Sequence, residues 1–166
     1  DLITSEGLSR IEQYGPDGGD HAFSLGLGDV NNCFHRLKMP PGMHRCFALE
    51  PIDAKYTPQK DALPRGTRVY PCLASFPMGF SWSLWVAQRC GEQLLSQVPG
   101  LGSHALASDY TAPMLIGREY PPRYYLYVDN FGVLGGNDSE VTNLLTRGCE
   151  QLTDCGLETH EQEVTR

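Results

Sequence analysis

No C-x-x-C pair, no long apolar run and no internal repeat occurs in these 166 residues, and each absence removes a class of protein. Without close cysteine pairs, the six cysteines (Cys33, Cys46, Cys72, Cys90, Cys149 and Cys155) read as reduced thiols of an intracellular protein, cytoplasmic or nuclear, and not as a disulfide framework. His44 and Cys46 flank Arg45 with no second ligand pair, so no structural metal site is expected there. No stretch approaches the ~18 apolar residues that cross a bilayer, and no charged-then-apolar leader opens the chain, so it reads as soluble, with no membrane partner. Charge is modest, 20% of residues against 40% hydrophobic, which is the balance of one folded domain over 1–166 and not of a disordered tail. The chain opens on Asp1 and ends on Arg166 after a polar run, so both ends read as cut from something longer.

What is present is unevenly distributed. The net charge of -7 argues against a general nucleic-acid coat, yet residues 1–20 carry one base and five acids, 21–90 eight bases and four acids, and 91–166 four bases and eleven acids. Arg36, Lys38 and Arg45, and then Lys55, Lys60, Arg65 and Arg68, form basic groups that serve either as a solvated loop face or, gathered by the fold, as phosphate contacts.

Turn residues and periodicity divide the chain. Thr4 or Ser5 caps a short helix ending near Gly15-Pro16. Phe23, Leu25, Leu27 and Asp29 alternate on one face of a strand, with Gly26 and Gly28 thinning the other. Asn31 to Leu37 is a short helix before Pro40-Pro41-Gly42, Arg45 to Leu49 a further strand, 50–66 an exposed loop, and Thr67 to Phe76 a returning strand. A helix opens after Pro77-Met78-Gly79-Phe80, capped by Ser81 or Ser83, carries Leu84, Ala87, Gly91, Leu94, Leu95 and Val98 at helical spacing, and stops at Pro99-Gly100. Residues 99–122 have no sustained period. Tyr124 to Val128 and Phe131 to Leu134 form a hairpin joined by Asp129-Asn130, residues that tolerate positive backbone angles. Asp138 or Ser139 caps a last helix with Val141, Leu144, Leu145, Cys149 and Leu152 on one side, ending near Gly156. The expected fold class is α+β, a mainly antiparallel sheet with helices on one face and the other face available.

Asp29 ends an apolar strand and Asp129 sits at the tip of an apolar hairpin. If those strands are neighbours, the carboxylates converge on one edge of the sheet, an arrangement that holds two Mg²⁺ ions ~3.5–4 Å apart for in-line phosphoryl transfer. Taken alone, an Asp in a hairpin turn is a common turn residue serving local hydrogen bonds. The flanking residues single these two out. Asp29-Val30-Asn31-Asn32-Cys33-Phe34, then Pro77-Met78-Gly79-Phe80 with Gln88 following, then Tyr127-Val128-Asp129-Asn130, resemble in order three motifs of the palm domain of reverse transcriptases, over roughly residues 20–160.

The resemblance implies the palm of an RNA-directed DNA polymerase from a retrotransposon or similar retroelement, a piece of a larger polyprotein with most of the fingers and all of the thumb absent. It implies nucleotidyl transfer from a deoxynucleoside triphosphate to a primer 3′-hydroxyl on a primed RNA or DNA template, with Mg²⁺ or Mn²⁺ as cofactor. Asp29 and Asp129 would be catalytic and ligate the metals, with the backbone carbonyl of Val30 completing one shell. Phe34 would be the steric gate against a 2′-hydroxyl, with a core aromatic as the other reading; Met78, Gly79 and Gln88 would face the substrate, and Tyr127 and Asn130 the primer. Two departures stand out. Asn130 replaces the second Asp of the hairpin motif, and Gly156-Leu157-Glu158-Thr159-His160 begins like the family's next motif but lacks its Lys, with His160 or a Lys beyond Arg166 as substitutes. Both departures suit an alternative, a degenerate or domesticated palm that binds nucleic acid or protein without catalysis.

Overall fold

The computed structural model describes residues 3–13, 23–110 and 114–165. Gly15-Pro16, where the first helix was expected to end, lie outside them. By internal contacts the chain divides into two compact units, Asp1–Cys33 with Leu84–Arg166, and Phe34–Ser83.

The larger unit is built on a four-stranded sheet. In chain order the described elements are helix α1 (Ser5–Ser9), strand β1 (Ile11–Gln13), strand β2 (Ser24–Val30), helix α2 (Cys33–Arg36), strands β3 (Ile52–Asp53) and β4 (Arg68–Val69), helix α3 (Ser81–Leu95), and strand β5 (Met114–Ile116). Strands β6 (Arg123–Tyr127) and β7 (Asn130–Gly135), helix α4 (Asp138–Asp154) and strand β8 (Thr159–Thr165) complete it. The sheet runs β6-β7-β2-β8, every neighbouring pair antiparallel. The chain is therefore α+β with a mainly antiparallel sheet.

Helix α4 lies on one face of this sheet and explains the composition of β2. Along β2 burial alternates, with Ser24, Gly26, Gly28 and Val30 inside and Leu25, Leu27 and Asp29 partly open. The alternation expected along the strand is there, and the face thinned by the glycines is the buried one. A Cβ on Gly26 would lie 3.1 Å from a Leu145 methyl and one on Gly28 2.9 Å from Cys149 Sγ, so the glycines admit the helix and the leucines are left on the face opposite α4. Val141, Leu144, Leu145, Cys149 and Leu152 of α4 are buried as their spacing predicts. They meet Tyr124, Leu126, Phe131 and Val133 of the hairpin in one core, each such side chain contributing about 1.5–3 kcal/mol.

Caps set the helix ends. Asn137, one residue before the expected caps, accepts from the Ser139 and Glu140 amides. At the other end Gly156 adopts φ +89°, the Leu157 amide reaches the Leu152 carbonyl (2.9 Å) and the Gly156 amide that of Thr153 (2.9 Å), a Schellman stop. That stop turns the chain into β8, a strand the sequence pattern did not suggest. Helix α1 is capped by Thr4 and is shorter than expected; the Thr4 amide donates to Asp109 Oδ1 (2.8 Å), and that hydrogen bond holds the Asp109 carboxyl below its usual range. In 99–122 the described residues include β5, parallel to β1.

In the unit Phe34–Ser83, the stretch expected as a strand at Arg45–Leu49 is instead a 3-10 helix, Pro41–Phe47, opened by a proline at its first position. The expected loop 50–66 contains β3, which pairs antiparallel with β4, and the expected long strand Thr67–Phe76 is reduced to β4 and isolated bridges Ala48↔Cys72 and Lys38↔Ser75. Phe47 and Phe80 meet edge to face at 5.0 Å. This unit holds seven Lys and Arg against three Asp and Glu, so the basic middle of the sequence is largely one structural unit.

Candidate functional site

The hairpin β6–β7 ends in a two-residue loop, Val128-Asp129, because Tyr127 and Asn130 form the last pair of the ladder. Val128 takes φ +59°, whereas Asp129 and Asn130, the residues expected to carry positive angles, do not. A positive angle at the first loop residue is the type II′ pattern, which glycine ordinarily fills. A β-branched residue there is strained by about 1–3 kcal/mol.

Strand β2 pairs with β7 so that Asp29 stands opposite Asn130, and the Val30 amide donates to the Asp129 carbonyl at 2.9 Å. The two strands whose adjacency the sequence left open are thus neighbours. Paired residues of adjacent strands share a face, so Tyr127, Asn130, Asp29 and His160 form one row across four strands on the side opposite α4. Next to it lies the row Tyr125, Gly132, Leu27, Glu163, with the Tyr125 ring over Gly132. Asn130 Nδ2 donates to Asp129 Oδ1 at 3.1 Å, so the Asn130 amide steadies the neighbouring carboxylate.

On β8 the register slips by one residue between Leu27↔Glu163 and Asp29↔His160. Unbroken pairing would bring position 161, a glutamate, opposite Asp29; the bulge brings His160 instead, its Nδ1 3.5 Å from Asp29 Oδ1.

Cys33 is buried and its thiol is pushed up to about 11, chiefly by burial and then by its electrostatic interactions with Asp129, Cys90 and Asp29. Both carboxylates therefore act on one sulfur. Among the described residues no group of three His, Cys, Asp or Glu side chains is placed to hold a metal ion. Asp29 and Asp129 are two hard oxygen donors. That count suits Mg²⁺, which takes one or two carboxylates from a protein and completes its shell with water and substrate phosphates.

Gln88 is not the exposed helical residue its polarity suggested. It is 3% exposed, with Nε2 donating to the Leu126 carbonyl and Oε1 accepting from the Val128 amide, each at 2.9 Å. Its side-chain amide is engaged by the hairpin backbone on both sides of Tyr127. Glu92, four residues on, is also buried, and its signal in the sequence is a Gln and a Glu at i, i+4 within the apolar stripe of Ala87, Gly91 and Leu95. Phe34, Met78 and Gly79 belong to the other unit. There Phe34 is half-buried, Met78 is 75% exposed, and Gly79 has φ +87° with open space where a Cβ would stand, so its backbone angle and not crowding requires glycine.

The sequence matches no protein-family model and no curated protein. No helix among the described residues is long and apolar enough to cross a membrane.

Proposed function

We propose that this chain carries the nucleotidyl-transfer centre of a reverse-transcriptase-type polymerase from a retroelement, an RNA-directed DNA polymerase acting on a primed RNA or DNA template. The observation that carries this reading is the pairing of Asp29 with Asn130, which sets Asp29 beside the Asp129 turn on the sheet face opposite α4. Asp29 and Asp129, with the Val30 carbonyl, would hold Mg²⁺, and the bound ions would offset triphosphate charge and favour ionisation of the primer 3′-hydroxyl. Asn130 keeps Asp129 oriented, and Tyr127, 44% exposed in the same row, offers its ring to the primer end.

Primer extension on an RNA template with deoxynucleotides and Mg²⁺ tests the reading. Asp29→Asn and Asp129→Asn should each cost about a thousandfold in rate, roughly 4 kcal/mol of transition-state stabilisation. Extension that survives both substitutions overturns the assignment. A folded wild-type chain that binds primed template and never extends it moves the reading to a palm-like domain that binds without catalysis, the alternative that Asn130 and the absent Lys favour.

A further inference from the structure

Among the described residues strand β6 is an edge strand, and no strand pairs with the outward polar groups of its last residues. Gln88 takes that strand's place. By donating to the Leu126 carbonyl and accepting from the Val128 amide, one planar side-chain amide does what a single residue of a parallel strand does, bonding the carbonyl of one residue and the amide two further on. The substitution continues a real pairing, since Leu106 bridges Tyr124 in parallel and the Ala107 amide donates to the Tyr124 carbonyl at 2.7 Å. The edge of β6 is thus closed by backbone at Tyr124 and by a side chain at 126–128.

The orientation of that side chain is itself held. Gln88 Nε2 also donates to Glu92 Oε1 at 2.9 Å, and Glu92 Oε2 accepts from Arg89 Nη1 at 2.6 Å. Turning the Gln88 amide over would set its oxygen against a carbonyl and a carboxylate, and its two N–H groups against the Val128 N–H. Val128 is also where the backbone is left-handed, a conformation a β-branched residue keeps only when its surroundings over-determine it.

We propose that Gln88, fixed by Glu92 and Arg89, is a positioning residue for the Asp129 turn, holding the backbone of 126–128 so that Val128 stays left-handed and Asp129 stays beside Asp29. Its kinetic consequence rests on the polymerase reading; its structural consequence does not.

The test is Gln88→Met in the whole chain, read by amide hydrogen exchange and by Mn²⁺ broadening in ¹⁵N NMR, with primer extension alongside. The Val128 amide should exchange about tenfold or more faster while Val133 and Leu145 keep their protection. Mn²⁺ should broaden the Asp29 and Asp129 neighbourhoods only at about tenfold higher concentration, and extension should lose kcat with the deoxynucleotide KM unchanged within about twofold. Unchanged Val128 exchange, or a raised KM with kcat intact, would return Gln88 to nucleotide contact and overturn the proposal; so would a uniform loss of protection across the sheet, which marks a general structural role. If Gln88→Met does not fold, Glu92→Gln keeps the buried shape and removes only the charge that orients Gln88, and the same amide should respond more weakly; no response there overturns the proposal too. A wild-type chain that extends no primer while Val128 responds sinks the polymerase reading and leaves the positioning role standing.

Discussion

At the scale of single residues the site turns on Asn130. Its amide donates to Asp129 Oδ1 and it stands opposite Asp29, so it is a neutral residue between two acidic ones. Asn130→Asp removes the donor and adds a third negative charge to the site, beside Asp29 and Asp129. The variant should lose about 1 kcal/mol of stability without divalent cation, from the lost hydrogen bond and the like-charge contacts, and regain it as Mg²⁺ is added. Thermal unfolding with and without Mg²⁺ measures this, and the half-saturating Mg²⁺ concentration should fall below that of the wild type. A variant as stable as the wild type and indifferent to Mg²⁺ would assign Asn130 to the turn alone. Val128 shows how residue identity and context part company: Asn and Asp tolerate positive angles best, so the tip Asp129-Asn130 reads as the strained pair, yet the hydrogen-bonded pairing of Tyr127 with Asn130 moves the strain onto the valine.

At the scale of elements, the contact of α4 with β2 is a close approach made possible by missing side chains. Gly28→Ala would place a methyl 2.9 Å from Cys149 Sγ, and such overpacking costs about 1–3 kcal/mol. Cys149→Ala costs something on its own through the cavity it leaves. The two together should cost less than Gly28→Ala alone, since the added methyl fills the space the sulfur vacates. Urea unfolding of the two single variants and the double variant gives the coupling energy, and strict additivity would mean that strand and helix do not meet in the way described. The same approach explains why β2 misleads the eye: two leucines alternating with two glycines look like a core face and a bare face, and the helix chooses the bare one.

For the whole molecule, the groups with raised pKa values set the alkaline limit. The Cys33 thiol is pushed up to about 11 and the Tyr124 phenol to about 12, in both cases chiefly by burial, and Cys149 is raised for the same reason. The unfolded chain releases the cysteine protons near pH 9 while the folded chain retains them, so above that pH the unfolded state binds fewer protons and stability falls as pH rises. The Cys33 contribution is fully present below about pH 9 and is lost toward pH 11, about 2 kcal/mol of it by pH 10.5. Urea unfolding at pH 8 and pH 10.5 should show the fall, and Cys33→Ala should flatten it by about that amount. An equal fall in both proteins would show that Cys33 is already ionised or exposed.

What could be read from the residues in order is what short-range chemistry controls. The spacing of Val141, Leu144, Leu145, Cys149 and Leu152 predicts α4, Gly156 its stop, and two apolar runs a hairpin with Asp129 at its tip. These depend on neighbours within a turn or two, so local pattern suffices. The rest is decided by pairs far apart in the chain, from 38 residues to more than a hundred. Asp29 meets Asn130 and His160 only because β7 and β8 flank β2, and the bulge that exchanges a glutamate for His160 exists only in that ladder. Gln88 looks like an exposed polar residue until the free edge of β6 arrives beside it, 38 and 40 residues later in the chain, and requires the hydrogen bonds that its amide can make. Helical and turn propensities carry no information about which edge or face is left open; that follows from how the strands pair and from where α4 can approach closely enough to bury its apolar side.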